Sequence, residues 1–424
     1  MCGIAGEIRF DSKTPDSGAV TRMAEAMAPR GPDAAGIFGQ ANIAFGHRRL
    51  QIIDLSDRSQ QPMVDPELGL AIVFNGCIYN YRELRRELEG LGYRFFSEGD
   101  TETILKAYHA WGADCVERLS GMFAFAIWER DTRAVTLGRD RLGIKPLYYA
   151  EGPDRFRFAS SLPSLLAGGD IDRRIDSKAL NFYMNFHAVV PPPYTILQGV
   201  RKLPPATTLR IEPDGRQTER RYWHVDHIPH DGDANVSADE WEERILEALR
   251  TAVRRRLVSD VPVGVLLSGG VDSSLIVGLL REEGQTGLET FSVGFETVGN
   301  ERGDEFQYSD IVAKAFETRH HKIQVDSAAL LLPSLPGCVK AMSEPMVSHD
   351  NIGFYLLSKE VSKHVKVVQS GQGADEVFGG YHWYPPMLES NDAAHDYGRL
   401  FRDRDHAEYR DAVSEEFHGE DWTE

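Results

Sequence analysis

One stretch, residues 263–274, limits the folds open to this chain more than any other. Its first residues, VGVLL, form an apolar run that is typical of a buried strand. Two glycines then interrupt the run, and apolar residues at helical spacing follow as far as Leu280. The pattern predicts a strand, a glycine-rich turn and a helix, which is the connection found in parallel α/β sheets.

The turn itself is suited to binding an anion. Glycine has no Cβ, so the backbone at Gly269 and Gly270 permits the close approach of a ligand. The amides of a helix N-terminus attract negative charge, and nearby hydroxyls add donors. Asp272 would lie among phosphate oxygens, where a carboxylate is useful mainly for holding a divalent cation. The nearby hydroxyls belong to Ser268, Ser273 and Ser274.

The same turn has a plainer interpretation as a strand–helix corner with serine caps. It lacks the lysine of the G-x-x-x-x-G-K-S/T pattern, which excludes a Walker-type phosphate loop. Because the full string SGGVDSS follows an apolar run, phosphate binding is favoured over the plain corner.

Length and composition narrow the class of protein. The 424 residues predict two or three domains. The net charge of −18 argues against binding nucleic acid or a membrane surface, and no apolar run reaches the ~20 residues of a membrane span. No signal peptide is recognisable at the N-terminus. Four cysteines without a repeated spacing indicate reduced thiols and a cytoplasmic location; they are Cys2, Cys77, Cys115 and Cys338.

Cys2 is the first candidate for catalysis. Removal of Met1 would leave Cys2 at the N-terminus, with an α-amine whose pKa is near ~8. Such an amine is partly neutral and can act as the base for the thiol of its own residue. The arrangement predicts an N-terminal nucleophile.

Four short motifs accompany Cys2 in the first half of the chain, at residues 27–33 (MAPRGPD), 46–54 (GHRRLQIID), 74–81 (FNGCIYNY) and 97–102 (SEGDTE). Taken singly, their charged residues are most simply surface ion pairs. Helices are expected at 81–91 and 101–111, and a hairpin is expected within 121–149. Short alternating strands with two helices predict an α+β half.

The order of these motifs resembles the class II glutamine amidotransferase domain, over about residues 2–165. By that resemblance Cys2 attacks the side-chain amide of glutamine. Arg49 would pair with the α-carboxylate and Asp100 with the α-ammonium. The side chain of Asn75 and the amide of Gly76 would form the oxyanion hole. The fold implied is the N-terminal nucleophile sandwich, in which stacked antiparallel sheets carry helices outside.

Residues 166–240 have little periodicity and are expected to be a linker with a small hairpin at 203–222. Beyond a helix at 241–257, strands are expected at 263–267, 290–295, from His320 onward and at 365–369. Ligands of a parallel sheet bind at the carboxyl ends of its strands. The loops 268–274 and 370–376 would therefore lie on the same edge of the sheet, where Asp375 and Glu376 could bind magnesium or a substrate.

The string SGGVDSS resembles the pyrophosphate loop of the ATP pyrophosphatase group, and the two halves together resemble the glutamine-hydrolysing asparagine synthetase family. The resemblance implies an α/β parallel-sheet ATP pyrophosphatase domain over 241–424. Ammonia from glutamine would pass through an internal tunnel to an acyl-adenylate made from ATP. Mg²⁺ would be held by Asp272 and Asp375, and Glu376 would face magnesium or the acceptor. The implied ATP-binding residues are Leu267, Ser268, Gly269, Gly270, Asp272, Ser273, Ser274, Val293, Ser370 and Gly371.

Three departures from the family pattern bear on the substrate. Cys77 and Gln372 each stand where the family usually has glutamate. With the run GYHWYPP at 380–386, they resemble the N-acetylglutaminylglutamine amidotransferase branch, which makes an osmoprotectant. That branch implies the carboxyl of a capped dipeptide as acceptor. Aspartate, the asparagine synthetase acceptor, is the alternative.

Other hypotheses stay open. Family members continue beyond the position of Glu424, so a C-terminally truncated product is expected. Sugar amination is a rival activity, but aminating a ketose needs no adenylation. A non-catalytic paralogue that senses ATP is a second rival. A homodimer is a further expectation for this enzyme.

Overall fold

The computed structural model describes residues 1–226, 232–296 and 303–422. Part of the expected linker, 227–231, and part of the expected second domain, 297–302 and 423–424, lie outside the described residues. The described residues divide into two compact units. The first comprises Met1–Tyr183, the described part of Val190–Ile228, and Glu416–Trp422; the second comprises Met184–Val189 and the described part of Pro229–Glu415.

The first unit contains two six-stranded antiparallel sheets, with strand orders β10-β8-β9-β1-β3-β2 and β12-β11-β7-β6-β5-β4. The strands are β1 (Gly3–Arg9), β2 (Ala34–Gln40), β3 (Ile43–Arg49), β4 (Met63–Asp65), β5 (Leu70–Ile78), β6 (Gly121–Glu129), β7 (Val135–Arg139), β8 (Tyr148–Glu151), β9 (Arg155–Ala159), β10 (Arg201–Lys202), β11 (Thr207–Ile211) and β12 (Gln217–Arg221).

One apolar core joins the two sheets face to face. Ile4 and Phe45 from the first sheet are fully buried in the same cluster as Val73 and Ala126 from the second. Alternation along each strand supplies these inward side chains, since successive residues point to opposite faces. The sheets therefore form the predicted sandwich.

Helices cover the outer faces. Val20 of α1 packs with Ala5 of the first sheet, and α3 contacts β5 of the second. The expected helices at 81–91 and 101–111 are confirmed as α2 and α3. The helices wholly or mostly in this unit are α1 (Ser17–Ala26), α2 (Tyr81–Gly90), α3 (Asp100–Trp111), α4 (Cys115–Arg118), α5 (Leu162–Ala167) and α6 (Ser177–Asn185).

The expected hairpin at 203–222 is present as β11 and β12, but it is not a separate element of a linker. Strand β11 pairs with β7, where Leu209 lies opposite Leu137, and thereby widens the second sheet. Strand β10 extends the first sheet through β8. The first unit thus continues beyond residue 165 and includes strands that local periodicity did not assign to it.

The second unit contains a four-stranded parallel sheet in the order β15-β14-β13-β16. Its strands are β13 (Val263–Leu266), β14 (Glu289–Phe295), β15 (Arg319–Val325) and β16 (Val367–Gln369). The parallel α/β sheet predicted from the strand–helix alternation is confirmed.

Helices pack on both faces of this sheet. Val253 of α7 and Val277 of α8 are buried against Val265 on one face, and Leu357 of α11 packs on Phe291. A capping box between Ser237 and Glu240 begins α7. The helices are α7 (Ala238–Arg255), α8 (Val271–Glu282), α9 (Phe306–Ala315), α10 (Leu332–Ala341), α11 (His349–Val361), α12 (Ala374–Phe378), α13 (Ala393–Phe401) and α14 (His406–Ala412).

Of the helices described, none combines the length and apolar character needed to cross a membrane. None of the four cysteines, all of which lie in the described chain, forms a disulfide, which agrees with the prediction of reduced thiols.

Candidate functional site

Cys2 lies directly before β1 and is half-buried. Its sulfur accepts a hydrogen bond from the Leu50 amide at 3.3 Å and donates to the Leu50 carbonyl at 3.7 Å. Burial raises the pKa of the thiol, and the Leu50 amide opposes that rise because it stabilises a thiolate. The α-amine of Met1 donates to the Arg30 carbonyl at 3.0 Å.

Arg49, the last residue of β3, is a buried cation with only main-chain partners. Its Nη1 donates to the Ser56 carbonyl at 3.0 Å, and its Nη2 donates to the carbonyl of Asp54. Within the described residues no carboxylate forms a salt bridge with it. Since an uncompensated buried charge is costly, the guanidinium is suited to pairing with a carboxylate ligand.

Asp100, the first residue of α3, is the corresponding anion. It is 5% exposed, and its Oδ2 accepts a hydrogen bond from the Ile78 amide at 3.0 Å. Burial raises the pKa of this carboxyl to about 6, although hydrogen bonds from main-chain amides and the charge of Arg49 oppose the rise. Like Arg49, Asp100 has no salt-bridge partner in the described part of the chain.

The structure brings these three residues together. The charges of Arg49 and Asp100 both act on the Cys2 thiol. An unpaired buried cation and an unpaired buried anion near one thiol suit a ligand that carries both a carboxylate and an ammonium. An α-amino acid has both groups.

Asn75 and Gly76 lie next to each other near the end of β5. The Asn75 Nδ2 is buried and has no hydrogen-bond partner among the described residues, so this donor is available to a ligand. A Cβ on Gly76 would lie 2.2 Å from the Met122 carbonyl oxygen, so only glycine fits there. An unused side-chain donor beside a glycine is the composition expected of an oxyanion hole.

Two further buried groups lie near the thiol. Burial raises the pKa of Cys77 far above its usual range, so this thiol is protonated and a poor nucleophile. Lys145 is 5% exposed, and its Nζ contacts the Met1 sulfur at 3.2 Å. Its charge acts on both Cys2 and Cys77, and burial lowers its pKa.

In the second unit, the predicted strand–turn–helix is formed by β13 and α8. Gly269 has φ +97°, and a Cβ there would lie 2.5 Å from the Ser309 amide nitrogen. Ser268 Oγ accepts from the Gly270 amide at 3.2 Å and lies 3.1 Å from Ser273 Oγ. No side chain caps the N-terminus of α8, so its first amides are available to an anion.

A cavity of about 420 Å³ opens beside this turn, at the carboxyl ends of β13, β14 and β16. The two expected loops meet there, because β13 and β16 are neighbours and a Cβ on Gly371 would lie 3.0 Å from the Asp272 Cβ. The predicted residues that line the cavity are Leu267, Ser268, Gly270, Asp272, Ser273, Val293, Ser370, Gly371 and Asp375.

Three predicted residues are not part of the cavity lining. Gly269 shapes the turn instead, and Ser274 Oγ donates to the Gly270 carbonyl at 2.7 Å. Glu376 is exposed and accepts a hydrogen bond from the Tyr381 hydroxyl at 2.8 Å. Of the two acidic residues expected at the start of α12, only Asp375 faces the cavity.

The cavity lining is acidic. It includes the carboxylates of Asp272, Glu305, Asp350 and Asp375, and no Lys, Arg or His is among the described lining residues. No group of three or more His, Cys, Asp or Glu in the described chain is arranged to hold a metal. Two carboxylates facing one cavity nevertheless fit Mg²⁺, which is commonly held by one or two carboxylates together with substrate phosphates.

Sequence reasoning missed several residues at both sites. Asp54 accepts hydrogen bonds from Ser59 Oγ at 2.5 Å and from the Glu98 amide at 2.8 Å, which joins two segments near the thiol. Glu305, directly before α9, and Asp350, in the first turn of α11, also line the cavity. The capping serine Ser348, two residues before Asp350, is the one local signal that marks the start of α11.

Family comparison covers both halves of the chain. A family model described as a glutamine amidotransferase domain matches residues 1–223, and one described as asparagine synthase matches residues 244–423. Among solved structures, glutamine phosphoribosylpyrophosphate (PRPP) amidotransferase from B. subtilis, complexed with ADP and GMP, aligns with a TM-score of 0.43 and 16% identity, covering 78% of this chain and 92% of that one.

Curated relatives extend across the junction of the two halves. Asparagine synthetase (glutamine-hydrolyzing) 1 of Bacillus subtilis (strain 168) is 38% identical over 391 residues, which are 92% of this chain and 60% of that protein. Putative asparagine synthetase (glutamine-hydrolyzing) 2 of Methanocaldococcus jannaschii is 36% identical over 405 residues, covering 90% of this chain and 76% of that protein. Both family models and a relative matched over most of its length agree, and the chain belongs to the glutamine-hydrolysing asparagine synthetase family.

Proposed function

We propose that this chain uses glutamine and ATP to convert a carboxylate into an amide. The observation that supports the proposal most strongly is the pair of unpaired buried charges, Arg49 and Asp100, beside the Cys2 thiol. The chain spans 60% of the length of the B. subtilis relative, so the activity of the whole protein is part of the proposal.

The first half-reaction takes place at Cys2. Arg49 binds the α-carboxylate of glutamine and Asp100 binds its α-ammonium. After Met1 is removed, the α-amine of Cys2 takes the thiol proton while the sulfur attacks the side-chain amide carbon. Asn75 Nδ2 and the Gly76 amide stabilise the oxyanion. The proton passes to the leaving nitrogen, ammonia departs, and water hydrolyses the thioester to glutamate.

The second half-reaction takes place in the cavity of the second unit. The amides of α8 and the hydroxyls of Ser268 and Ser273 bind the phosphates. The acceptor carboxylate attacks the α-phosphorus of ATP and releases pyrophosphate; ammonia then attacks the acyl carbon and AMP leaves. Asp272 and Asp375 would hold Mg²⁺, whose positive charge would offset the negative charge of the phosphates.

Aspartate is the acceptor that we propose. The relatives at 38% and 36% identity are named asparagine synthetases, which supports it. The cavity supports it independently: with four carboxylates and no described basic side chain in the lining, it favours an acceptor that carries an ammonium. Aspartate has a free amino group.

The dipeptide acceptor expected from Cys77 and Gln372 is less well supported. N-acetylglutaminylglutamine is capped at its amino end and brings no positive charge to the acidic lining. Gln372 does line the cavity, where it removes one negative charge relative to glutamate. The names of the relatives give no support to the osmoprotectant branch.

A paired assay tests the proposal. The purified chain is supplied with glutamine, ATP and Mg²⁺, with aspartate or N-acetylglutaminylglutamine as acceptor, and glutamate, AMP and pyrophosphate are measured. Glutamate release without AMP formation for any acceptor would limit the function to glutaminase. AMP formation with the dipeptide alone would overturn aspartate. Neither product, from protein shown by mass spectrometry to lack Met1, would favour a non-catalytic paralogue.

The oligomeric state and the cellular location of the protein remain predictions. A homodimer would be recognised by light scattering of the purified chain. A cytoplasmic location agrees with four cysteines that form no disulfide, and fractionation of cells that produce the protein would test it.

A further inference from the structure

The two residues that would hold the α-amino acid end of glutamine are on different elements. Arg49 ends β3, and the loop 50–59 follows it; Asp100 begins α3, and the segment 97–99 precedes it. A ligand that bridges a cation and an anion needs them at a fixed separation. The separation of Arg49 and Asp100 therefore depends on contacts between these two segments.

The carboxylate of Asp54 links the two segments by hydrogen bonds. Its Oδ2 accepts hydrogen bonds from the Glu98 amide at 2.8 Å and from Ser59 Oγ at 2.5 Å. Its Oδ1 accepts from the Ser56 amide at 3.1 Å and from Ser56 Oγ at 2.6 Å. One side chain thus fixes the loop after Arg49 and the segment before Asp100.

The main chain of the same loop holds Arg49 directly. The carbonyl of Asp54 accepts a hydrogen bond from Arg49 Nη2, and the carbonyl of Ser56 accepts from Nη1 at 3.0 Å. Any movement of Asp54 is therefore passed to the guanidinium. The loop is linked through Asp54 to both ends of the expected glutamine clamp.

Packing leaves little room for the junction to relax. A Cβ on Gly99 would lie 2.6 Å from Ser59 Oγ and 3.5 Å from the Asp54 Cβ. Asp54 is 8% exposed and has φ +48°, a conformation that aspartate and asparagine adopt more readily than most residues. Burial would raise its pKa, but the hydrogen bonds from Ser56, Ser59 and Glu98 outweigh burial and lower it to about 2.

We propose that Asp54 is the positioning residue that sets the separation of Arg49 and Asp100, and thereby the affinity of this chain for glutamine. The inference rests on the proposed glutaminase activity. Asp54 would touch neither the substrate nor the thiol; it acts through the two residues that do.

The test compares Asp54→Asn with Asp57→Asn. Asparagine keeps the shape and the left-handed backbone, but its amide has a single acceptor oxygen. It therefore cannot replace both the Oδ2 bonds to Glu98 and Ser59 and the Oδ1 bonds to Ser56. Asp57 is exposed on the same loop, so Asp57→Asn removes the same charge without touching residues 97–99. Each variant is assayed with glutamine and with the analogue that lacks the α-amino group.

We expect Asp54→Asn to raise KM for glutamine on the order of 10-fold with a smaller change in kcat. The rise should be smaller for the analogue, which does not use Asp100. Asp57→Asn should match the unsubstituted protein with both substrates. The rate at which iodoacetamide labels Cys2 is measured for each variant, and a rate equal to that of the unsubstituted protein indicates that the site is folded.

Two failures can be told apart. If the unsubstituted chain hydrolyses glutamine and Asp54→Asn has the same KM, or loses equal affinity for both substrates, the positioning role is overturned and the proposed function stands. If the unsubstituted, Met1-free chain does not hydrolyse glutamine at all, the proposed function fails and the inference fails with it.

Discussion

The Leu50 amide lies 3.3 Å from the Cys2 sulfur and donates a hydrogen bond to it. Leu50 follows Arg49 directly, so the residue that would orient glutamine and the amide that supports the nucleophile are adjacent in the chain. A donor at the sulfur favours the thiolate, whereas burial of the thiol disfavours it. The thiol therefore depends on a base at the moment of attack.

Substitution of Cys2 by alanine should lower glutamate release from glutamine by on the order of 10³-fold or more. Burial raises the pKa of the other two thiols in the first unit, Cys77 and Cys115, so neither can replace it. Cys77→Ala is the matched control. Burial keeps the Cys77 thiol protonated, so its loss should change kcat only a few-fold. Glutamate release and iodoacetamide labelling measure both effects; retained turnover in Cys2→Ala would refute the nucleophile assignment.

Glutamine affinity should weaken as the pH falls through about 6. Burial raises the pKa of Asp100 to about 6, so the neutral acid becomes the main form below that pH. A neutral carboxyl attracts an ammonium much less than a carboxylate does. The profile of kcat/KM against pH reports the free enzyme and should contain an acidic step with an apparent pKa near this value, in addition to the fall caused by protonation of the Cys2 α-amine.

Asp100→Asn provides the control for that profile. The variant should raise KM for glutamine about 10- to 100-fold at neutral pH, as expected for loss of a charged hydrogen bond. Its kcat/KM should fall less steeply between pH 7 and about 5, because protonation of the Cys2 α-amine, the proposed base, is then the remaining cause. If the acidic limb persists unchanged in the variant, another group is responsible for it.

The sequence was most informative where chemistry depends on residue type within a short motif. The roles of Cys2 and Arg49 could be predicted because their motifs resemble a known family, and the loop 268–274 could be recognised because its glycines and serines follow an apolar run. Asp54 could not, because its role comes from the Glu98 amide, 44 positions away. Glu305 is similar, since it lines the cavity through the packing of the helix that follows it, α9, on the sheet.

The extent of the first unit was hidden for a related reason. Strand β10 pairs with β8 and strand β11 with β7, far from them in the chain, and that pairing is not encoded in their own periodicity. Strand β12 is exposed throughout, so it lacks the alternation that identifies a half-buried strand. The hairpin could be predicted from its turn, but the sheet it joins could not.

The two glycines of the phosphate turn should respond differently to alanine. Gly269→Ala places a Cβ 2.5 Å from the Ser309 nitrogen at φ +97°, so we expect it to lower the free energy of unfolding by about 1–3 kcal/mol. In Gly270→Ala the new Cβ lies 3.4 Å from Ser268 Oγ, an ordinary contact, so this variant should be as stable as the unsubstituted chain. Because Gly270 lines the cavity, its variant should still bind ATP more weakly.

Denaturant unfolding and ATP titration separate these effects. The expected pattern is reduced stability for Gly269→Ala and reduced ATP affinity at normal stability for Gly270→Ala. Equal stability of the two variants would contradict the strained turn at Gly269. Unchanged ATP affinity in Gly270→Ala would contradict the placement of the phosphates beside this residue.

Pyrophosphate release should depend on Asp272 and Asp375 but not on Glu376. The carboxylates of Asp272 and Asp375 face one cavity. Glu376 instead accepts a hydrogen bond from the Tyr381 hydroxyl and does not line that cavity. We expect Asp272→Asn and Asp375→Asn each to lower ATP-dependent pyrophosphate release roughly 10²-fold and to require more Mg²⁺ for half-maximal rate. Glu376→Gln, which removes the neighbouring charge, should stay within about 2-fold of the unsubstituted chain. An equal loss in Glu376→Gln would mean that general negative charge at the start of α12, rather than a carboxylate facing the cavity, supports the reaction.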